Sequence, residues 1–169
     1  MPKSADGSER FKVRVTKDHL VFCSAHFISY DGDHCERLHG HNYRAAVEVE
    51  GALDANFYVF DFIALKNRAK AIIDELDHRM LLPTGSKLIS VDVTERNVRV
   101  RYREREWVFP REDCVLLPLE NTTAELLARY VAERLAVDLK AHHGYDPAVL
   151  RIEVEENFDQ SATYEWRTS

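Results

Sequence analysis

The stretch Cys35-Glu36-Arg37-Leu38-His39-Gly40-His41-Asn42-Tyr43-Arg44-Ala45-Ala46-Val47-Glu48-Val49 decides the fold, because it joins a polar, histidine-rich loop to a strand. Tyr43 to Val49 is built of β-branched and small residues that suit a pleated sheet. On extended chain, residues two apart face the same way, so His39 and His41 aim at one point and Gly40 lets a neighbouring backbone pass closely. Upstream, Phe11 to Val15 alternates apolar and polar residues, and Leu20 to Ile28 resumes as a second extended run. These two runs read as a strand pair or as one long bent strand, with the loop Ser29 to Gly40 held between it and the returning strand.

Downstream the period changes. Phe62, Leu65, Ala69, Ile72, Ile73 and Leu76 recur at helical spacing behind Asp61, a side chain suited to an N-cap. Leu76 to Leu82 reads as the C-terminal end of this first helix. Residues 88–93 and 98–102 alternate around the polar turn 94–97 and predict a β-hairpin inserted at about 85–113. Thr122 and Glu125 have the spacing of a capping box, and the helix they open runs through Leu135 to Gly144. Val149 to Val154 and Ala162 to Trp166 close the chain as two strands. Helices set between hairpins, without regular strand-helix alternation, predict an α+β fold with two helices on one face of the sheet. The expected organisation is a flexible segment 1–10 followed by one domain, 11–169.

Composition narrows the function classes. With 23 basic and 29 acidic residues the formal net charge is −6, and no dense basic block marks nucleic acid as the main ligand. A chain of 169 residues can bury roughly 70% of its unfolded surface, so any bound metal is expected to serve chemistry rather than folding. The first residues lack an apolar signal core, and no run reaches the ~18 apolar residues of a membrane span. The expected location is the cytoplasm. Cys23, Cys35 and Cys114 are too few and scattered for a secreted disulfide framework; Cys23 and Cys114 are expected to pack inertly.

Four of the eight histidines fall between His26 and His41. His39 and His41, completed by His26 from the neighbouring strand, offer three imidazoles, a set that binds zinc and leaves a fourth position open. Cys35, four positions before His39, is a candidate base or nucleophile, since a nearby cation favours the thiolate. It could equally be a fourth zinc ligand or a small loop residue. Asp77 beside His78 can orient the imidazole and raise its basicity, although such a pair also suits a helix terminus. Arg99, Arg101, Arg103 and Arg105 alternate and are expected to share one strand face, solvated beside Glu104 and Glu106, with a triphosphate or a neighbouring subunit as the other candidate partner.

Taken in order, Phe22-Cys23-Ser24-Ala25-His26, Cys35-x-x-x-His39-Gly40-His41, Leu76-Asp77-His78, Asn121-Thr122-Thr123-Ala124-Glu125 and Val154-Glu155-Glu156 with Ala162-x-Tyr164 resemble the 6-pyruvoyltetrahydropterin synthase and 6-carboxytetrahydropterin synthase superfamily. The resemblance runs from about residue 11 to the end. It implies the tunnelling fold, a four-stranded antiparallel sheet with two helices on one face, in trimers that pair into hexamers with active sites between subunits. By the same resemblance His26, His39 and His41 hold zinc, which polarises the side-chain hydroxyls of dihydroneopterin triphosphate. Cys35 is the base, and Asp77 with His78 completes the relay across the interface. Glu156 anchors the pterin through paired hydrogen bonds, and Thr122 and Thr123 contact its ring.

The gap in Cys-x-x-x-His-Gly-His resembles that of the bacterial 6-carboxytetrahydropterin synthases of queuosine biosynthesis, zinc lyases that release acetaldehyde and triphosphate. Glu36-x-x-His39-Gly40-His41 also resembles folate-branch members that form 6-hydroxymethyldihydropterin, so Glu36 is a second candidate at the substrate. Formation of 6-pyruvoyltetrahydropterin is a third outcome, and a non-catalytic pterin- or purine-binding module is the alternative outside enzymes. The long segment 85–113, and Asn121-Thr122-Thr123 where members more usually carry Asn-Pro-Thr, depart from the family pattern.

Overall fold

The computed structural model describes residues 9–168. Most of the segment 1–10 read as a flexible N-terminus therefore lies outside the described residues. Strands β1 (Phe11–Val15) and β2 (Val21–His26) are followed by a two-residue pair, β3 (Ser29–Tyr30) and β4 (His34–Cys35), and by the long β5 (His39–Gly51). Helix α1 (Phe62–Asp74) leads to β6 (Arg79–Pro83), then β7 (Ser90–Val93), β8 (Asn97–Tyr102), β9 (Arg105–Pro110) and β10 (Cys114–Leu117). Helix α2 (Ala124–His143), β11 (Val149–Asn157) and β12 (Gln160–Arg167) complete the chain.

The architecture is α+β. Strand β5 is the spine: its first half pairs antiparallel with β2 and its second half with β1, so the first two strands behave as one bent strand along its edge. Its other edge takes β11, which pairs with β12, all antiparallel. This antiparallel unit does not end the sheet. β6 joins β2 in parallel and β10 joins β6 in parallel, giving seven strands in a mixed sheet where the sequence reading expects four antiparallel ones. The difference lies at Arg79-Met80-Leu81-Leu82-Pro83. Helix α1 stops at Asp74 with Glu75 as its C-cap, and His78 takes a positive φ of 55°, so the apolar run that followed the helical pattern becomes a buried strand.

Both helices start and stop for local reasons. Asp61 accepts a hydrogen bond from the Ala64 amide at 2.6 Å, and Gly144 ends α2 in the left-handed region at φ 61°. The cap of α2 is Thr123, whose hydroxyl accepts from the Leu126 amide, one residue later than the expected capping box at Thr122. Leu65, Ala69, Ile72 and Ile73 of α1 and Leu127, Val131, Leu135 and Leu139 of α2 bury against Tyr43, Val47, Val49, Leu150, Ile152 and Val154 of the sheet. Each large aliphatic side chain so buried contributes about 2 kcal/mol. Phe62, though it fits the period, is exposed.

The insertion is a three-stranded meander, β7-β8-β9, rather than a hairpin. Tyr102 and Arg105 are register partners across a turn in which Arg103 takes φ 51°. Val98, Val100 and Tyr102 pack with Phe27, Met80, Leu82, Ile89 and Cys114 in a second core. The turn resets the alternation: Arg99 and Arg101 point outward to Glu106, whereas Arg105 shares the inward face with Tyr102 and Trp107. The four arginines therefore do not share a face. Cys114 is buried as expected, but Cys23 points out of β2 and is exposed. No helix among the described residues is long and apolar enough to cross a membrane.

Candidate metal centre

The pairing of β2 with β5 sets His26 directly opposite His39, and Ser24 opposite His41. His39, His41 and Tyr43 then line one face of β5, and His26 reaches the same point from the end of β2. Ring centroids lie 4.8 Å apart for His26–His39, 5.2 Å for His26–His41 and 4.8 Å for His39–His41. Gly40 makes the close pairing possible, because a Cβ there would lie 3.2 Å from the Ser24 carbonyl oxygen on β2. Gly40→Ala is expected to part the two strands by a few tenths of an ångström and lower the cluster's affinity for a divalent metal about tenfold while the fold persists, checked by competitive chelator titration alongside circular dichroism.

The fourth member is Glu156. Alternation along β11 sends Leu150, Ile152 and Val154 to the helix side, and Glu156 follows them, while Glu155 turns to the opposite face beside Arg44. Two residues of β11 face one of β12 between Glu155 and Asn157, a bulge that leaves Glu156 without a register partner on β12 beside the cluster. Its Oε1 lies 3.1 Å from His26 Nε2 and 2.9 Å from His41 Nε2. The ligand atoms of His26, His39, His41 and Glu156 all fall within 4.8 Å of one another.

The donor set fits a cation. His26 Nδ1 donates to the Thr122 carbonyl at 2.9 Å and His39 Nδ1 to the Arg37 carbonyl at 2.8 Å, which orients both rings and leaves the Nε2 lone pairs facing inward. A carboxylate oxygen and an unprotonated ring nitrogen about 3 Å apart repel unless a proton or metal lies between them. His41 Nε2 is buried, and despite its proximity to Glu156 the contact lacks hydrogen-bond geometry, so this nitrogen is orphaned. Burial holds the His41 imidazole below its ordinary pKa, in the neutral form a metal requires; when His26 carries a second proton, on Nε2, its hydrogen bond holds Glu156 below the usual carboxylate range, and a metal would take that proton's place. Burial, with the Glu156 and Glu36 charges, pushes the Tyr43 phenol far up, so its hydroxyl, 3.1 Å from His26 Nε2, stays protonated.

The two candidate bases leave the loop in different directions. Glu36 Oε2 lies 3.8 Å from His39 Nε2. The Cys35 side chain packs against the second core, its Sγ donating to the Glu36 carbonyl at 3.5 Å, and it is not a member of the ligand cluster. Burial pushes this thiol up, with the Arg105 charge pulling the other way. The cation expected to favour the Cys35 thiolate is the metal of the cluster; within the chain itself, Arg105 is the group that acts in that direction.

Asp77 and His78 form a pair at 2.9 Å, and the Cys23 backbone holds both: its N–H donates to Asp77 Oδ1, and its carbonyl accepts the His78 N–H, each at 2.7 Å. The His78 side chain is 82% exposed, and among the described residues no hydrogen bond or ion pair joins the dyad to the imidazoles of its own chain. The Cys23 amide holds the Asp77 carboxyl below its ordinary range. The stabilisation this gives is present above the unfolded value of about 3.9 and is lost as pH falls through the lower folded value. Asp77→Asn is expected to cost under about 1 kcal/mol near neutrality, because the group is a third exposed, and progressively less as pH falls through the lower folded value; urea midpoints across pH check this.

Thr122 is fully buried, its hydroxyl donating to the Phe27 carbonyl at 3.4 Å and its own carbonyl orienting His26. With Thr123 capping α2, both threonine hydroxyls make hydrogen bonds to the backbone. The sequence reading missed the orienting part of Thr122, the part of Tyr43, and Asn121, whose amide exchanges hydrogen bonds with the Ser29 backbone at the loop's start. Tyr43 alone left a signal, as the third term of the alternation His39-x-His41-x-Tyr43.

A family model described as 6-pyruvoyl tetrahydropterin synthase matches residues 14–167. A protein of Methanocaldococcus jannaschii provisionally named 6-carboxy-5,6,7,8-tetrahydropterin synthase is 34% identical over 146 residues, 86% of this chain and 89% of its own. A dihydroneopterin monophosphate aldolase of Pyrococcus furiosus is 36% identical over 83 residues, 46% of this chain and 68% of its own. Among solved structures, the 6-pyruvoyltetrahydropterin synthase of Plasmodium vivax, in a form with a glutamate described as a catalytic residue replaced by alanine, superposes with a TM-score of 0.86 at 27% identity, covering 95% of this chain and 100% of that one.

Proposed function

The chain belongs to the 6-pyruvoyl tetrahydropterin synthase family, and from that premise we propose that it is a zinc-dependent lyase acting on 7,8-dihydroneopterin triphosphate to form 6-carboxytetrahydropterin. The observation that carries this reading is the convergence of three imidazole rings, with centroids 4.8 to 5.2 Å apart, on the Glu156 carboxylate. His26, His39 and His41 would hold zinc. When bound, the metal supplies a Lewis acid for the side-chain hydroxyls of the substrate. Glu156 would receive the amino and ring N–H edge of the pterin as a planar donor pair. Cys35 would remove a proton in a loop orientation that turns its side chain out of the second core and toward the cluster. The Asp77–His78 dyad, exposed and clear of its own cluster, would relay protons at the cluster of a neighbouring subunit in a trimer-based assembly.

A specific contact favours a second cleavage by the same site. Glu36 reaches to 3.8 Å from His39, and a carboxylate beside a metal ligand can take the proton in place of the thiol, giving 6-hydroxymethyldihydropterin. The Pyrococcus aldolase and the catalytic glutamate of the Plasmodium enzyme support this arm. Incubating zinc-loaded protein with dihydroneopterin triphosphate and identifying products by mass tests both. The 6-carboxy product should vanish in Cys35→Ala and the 6-hydroxymethyl product in Glu36→Gln; absence of any turnover with zinc bound removes the lyase reading.

A further inference from the structure

The inserted meander reaches back to the loop that carries both candidate bases. Arg105 donates from Nη1 to the Cys35 carbonyl at 2.9 Å and from Nη2 to the Glu36 carbonyl at 2.8 Å, one guanidinium spanning two successive peptides. The fork is itself fixed. Its Cζ lies 4.7 Å from the centroid of the Trp107 ring, and Trp107 stacks on Phe27 at 4.6 Å with the planes 20° apart. Phe27 follows the metal-site residue His26 directly and is 99% buried. The meander takes a second hold at Asp33, whose carbonyl accepts from the Tyr102 hydroxyl and whose carboxylate pairs with Arg103. The chain is extended at Cys35, and the Glu36 amide donates to the Ile28 carbonyl at 2.9 Å, so the side chains of residues 35 and 36 leave on opposite sides. Turning that pair of peptides over would exchange the two side chains.

We infer that Arg105 is a positioning residue that biases the Cys35–Glu36 peptides toward the orientation presenting Glu36 to the imidazole cluster over the reversed one presenting Cys35, so that the meander sets the ratio in which the two bases act on the substrate. The inference rests on the proposed function for its chemical consequence but not for its structural one. With the fork gone, the loop samples the reversed orientation more often and Cys35 leaves the second core.

The structural arm of the test follows alkylation of Cys35 by iodoacetamide through peptide mass, extrapolated to the fully ionised thiol so that the lost charge does not enter. Arg105→Ala should raise this limiting rate about tenfold or more, the scale of two lost charge-assisted hydrogen bonds, and Arg105→Lys, with a single point donor, should fall between. The chemical arm measures products from dihydroneopterin triphosphate with zinc: in Arg105→Ala the share of Cys35-dependent product should rise at the expense of the Glu36-dependent one. An unchanged alkylation rate, or an unchanged product ratio in a variant that still turns over, overturns the proposal. If wild-type protein consumes no substrate, the lyase reading falls and alkylation alone decides the positioning role. Should Arg105→Ala fail to fold, Tyr102→Phe, which removes only the tie to Asp33, carries the same expectation on a smaller scale.

Discussion

Replacing His41 with alanine should leave a folded chain that retains no zinc after dialysis and turns over substrate at least ~10³-fold more slowly, several kcal/mol being the usual value of a catalytic metal's charge stabilisation. His41 suits the test better than His26. Its side chain is 22% exposed, so truncation opens no sealed cavity, whereas His26 is fully buried under Thr122 and Tyr43 and its loss would mix folding with chemistry. Removing even an outer-shell partner of a zinc ligand costs about 10- to 100-fold in affinity, so loss of a ligand should exceed that. Metal analysis per chain, with circular dichroism to establish folding, gives the answer. A His41→Ala protein that keeps a full complement of zinc would show that the imidazoles converge for some reason other than metal.

The second large effect concerns Glu156. Glu156→Gln keeps the shape of the side chain and removes its charge, and KM should rise about 10- to 100-fold, the value of a charge-assisted pair of hydrogen bonds, with zinc retained. That outcome identifies the residue as the pterin anchor. The carboxylate also lies within 3.1 Å of two ring nitrogens, so zinc content must be measured beside KM. A variant that loses metal and kcat together would make Glu156 a ligand and displace the anchor role.

Much of this was readable from residue order. The imidazole cluster follows from strand parity at His39-Gly40-His41 together with a histidine ending the preceding strand, and the structure places the three rings in contact. Helices α1 and α2 announce themselves by apolar period and by Asp61 and Gly144 at their ends. Strand β6 was hidden because four apolar residues after a helical pattern carry no period of their own, and only the left-handed turn at His78 separates them from the helix. Strand β9 was hidden because an arginine, not glycine or asparagine, makes the positive-φ turn before it. The directions taken by Cys35 and Glu36 depend on Arg105, seventy residues away in the chain, and no local pattern encodes a contact of that range.

The irregularity in β11 has a bearing on how this chain could drift. Glu156 is a supernumerary residue there, left out of register with β12. A single deletion at this point would restore an uninterrupted ladder and tighten the sheet edge, and in the same event it would remove the carboxylate from the metal cluster. Screens that select for heat tolerance alone would therefore enrich inactive descendants at this position, and any library built on this chain needs an activity filter alongside the thermal one.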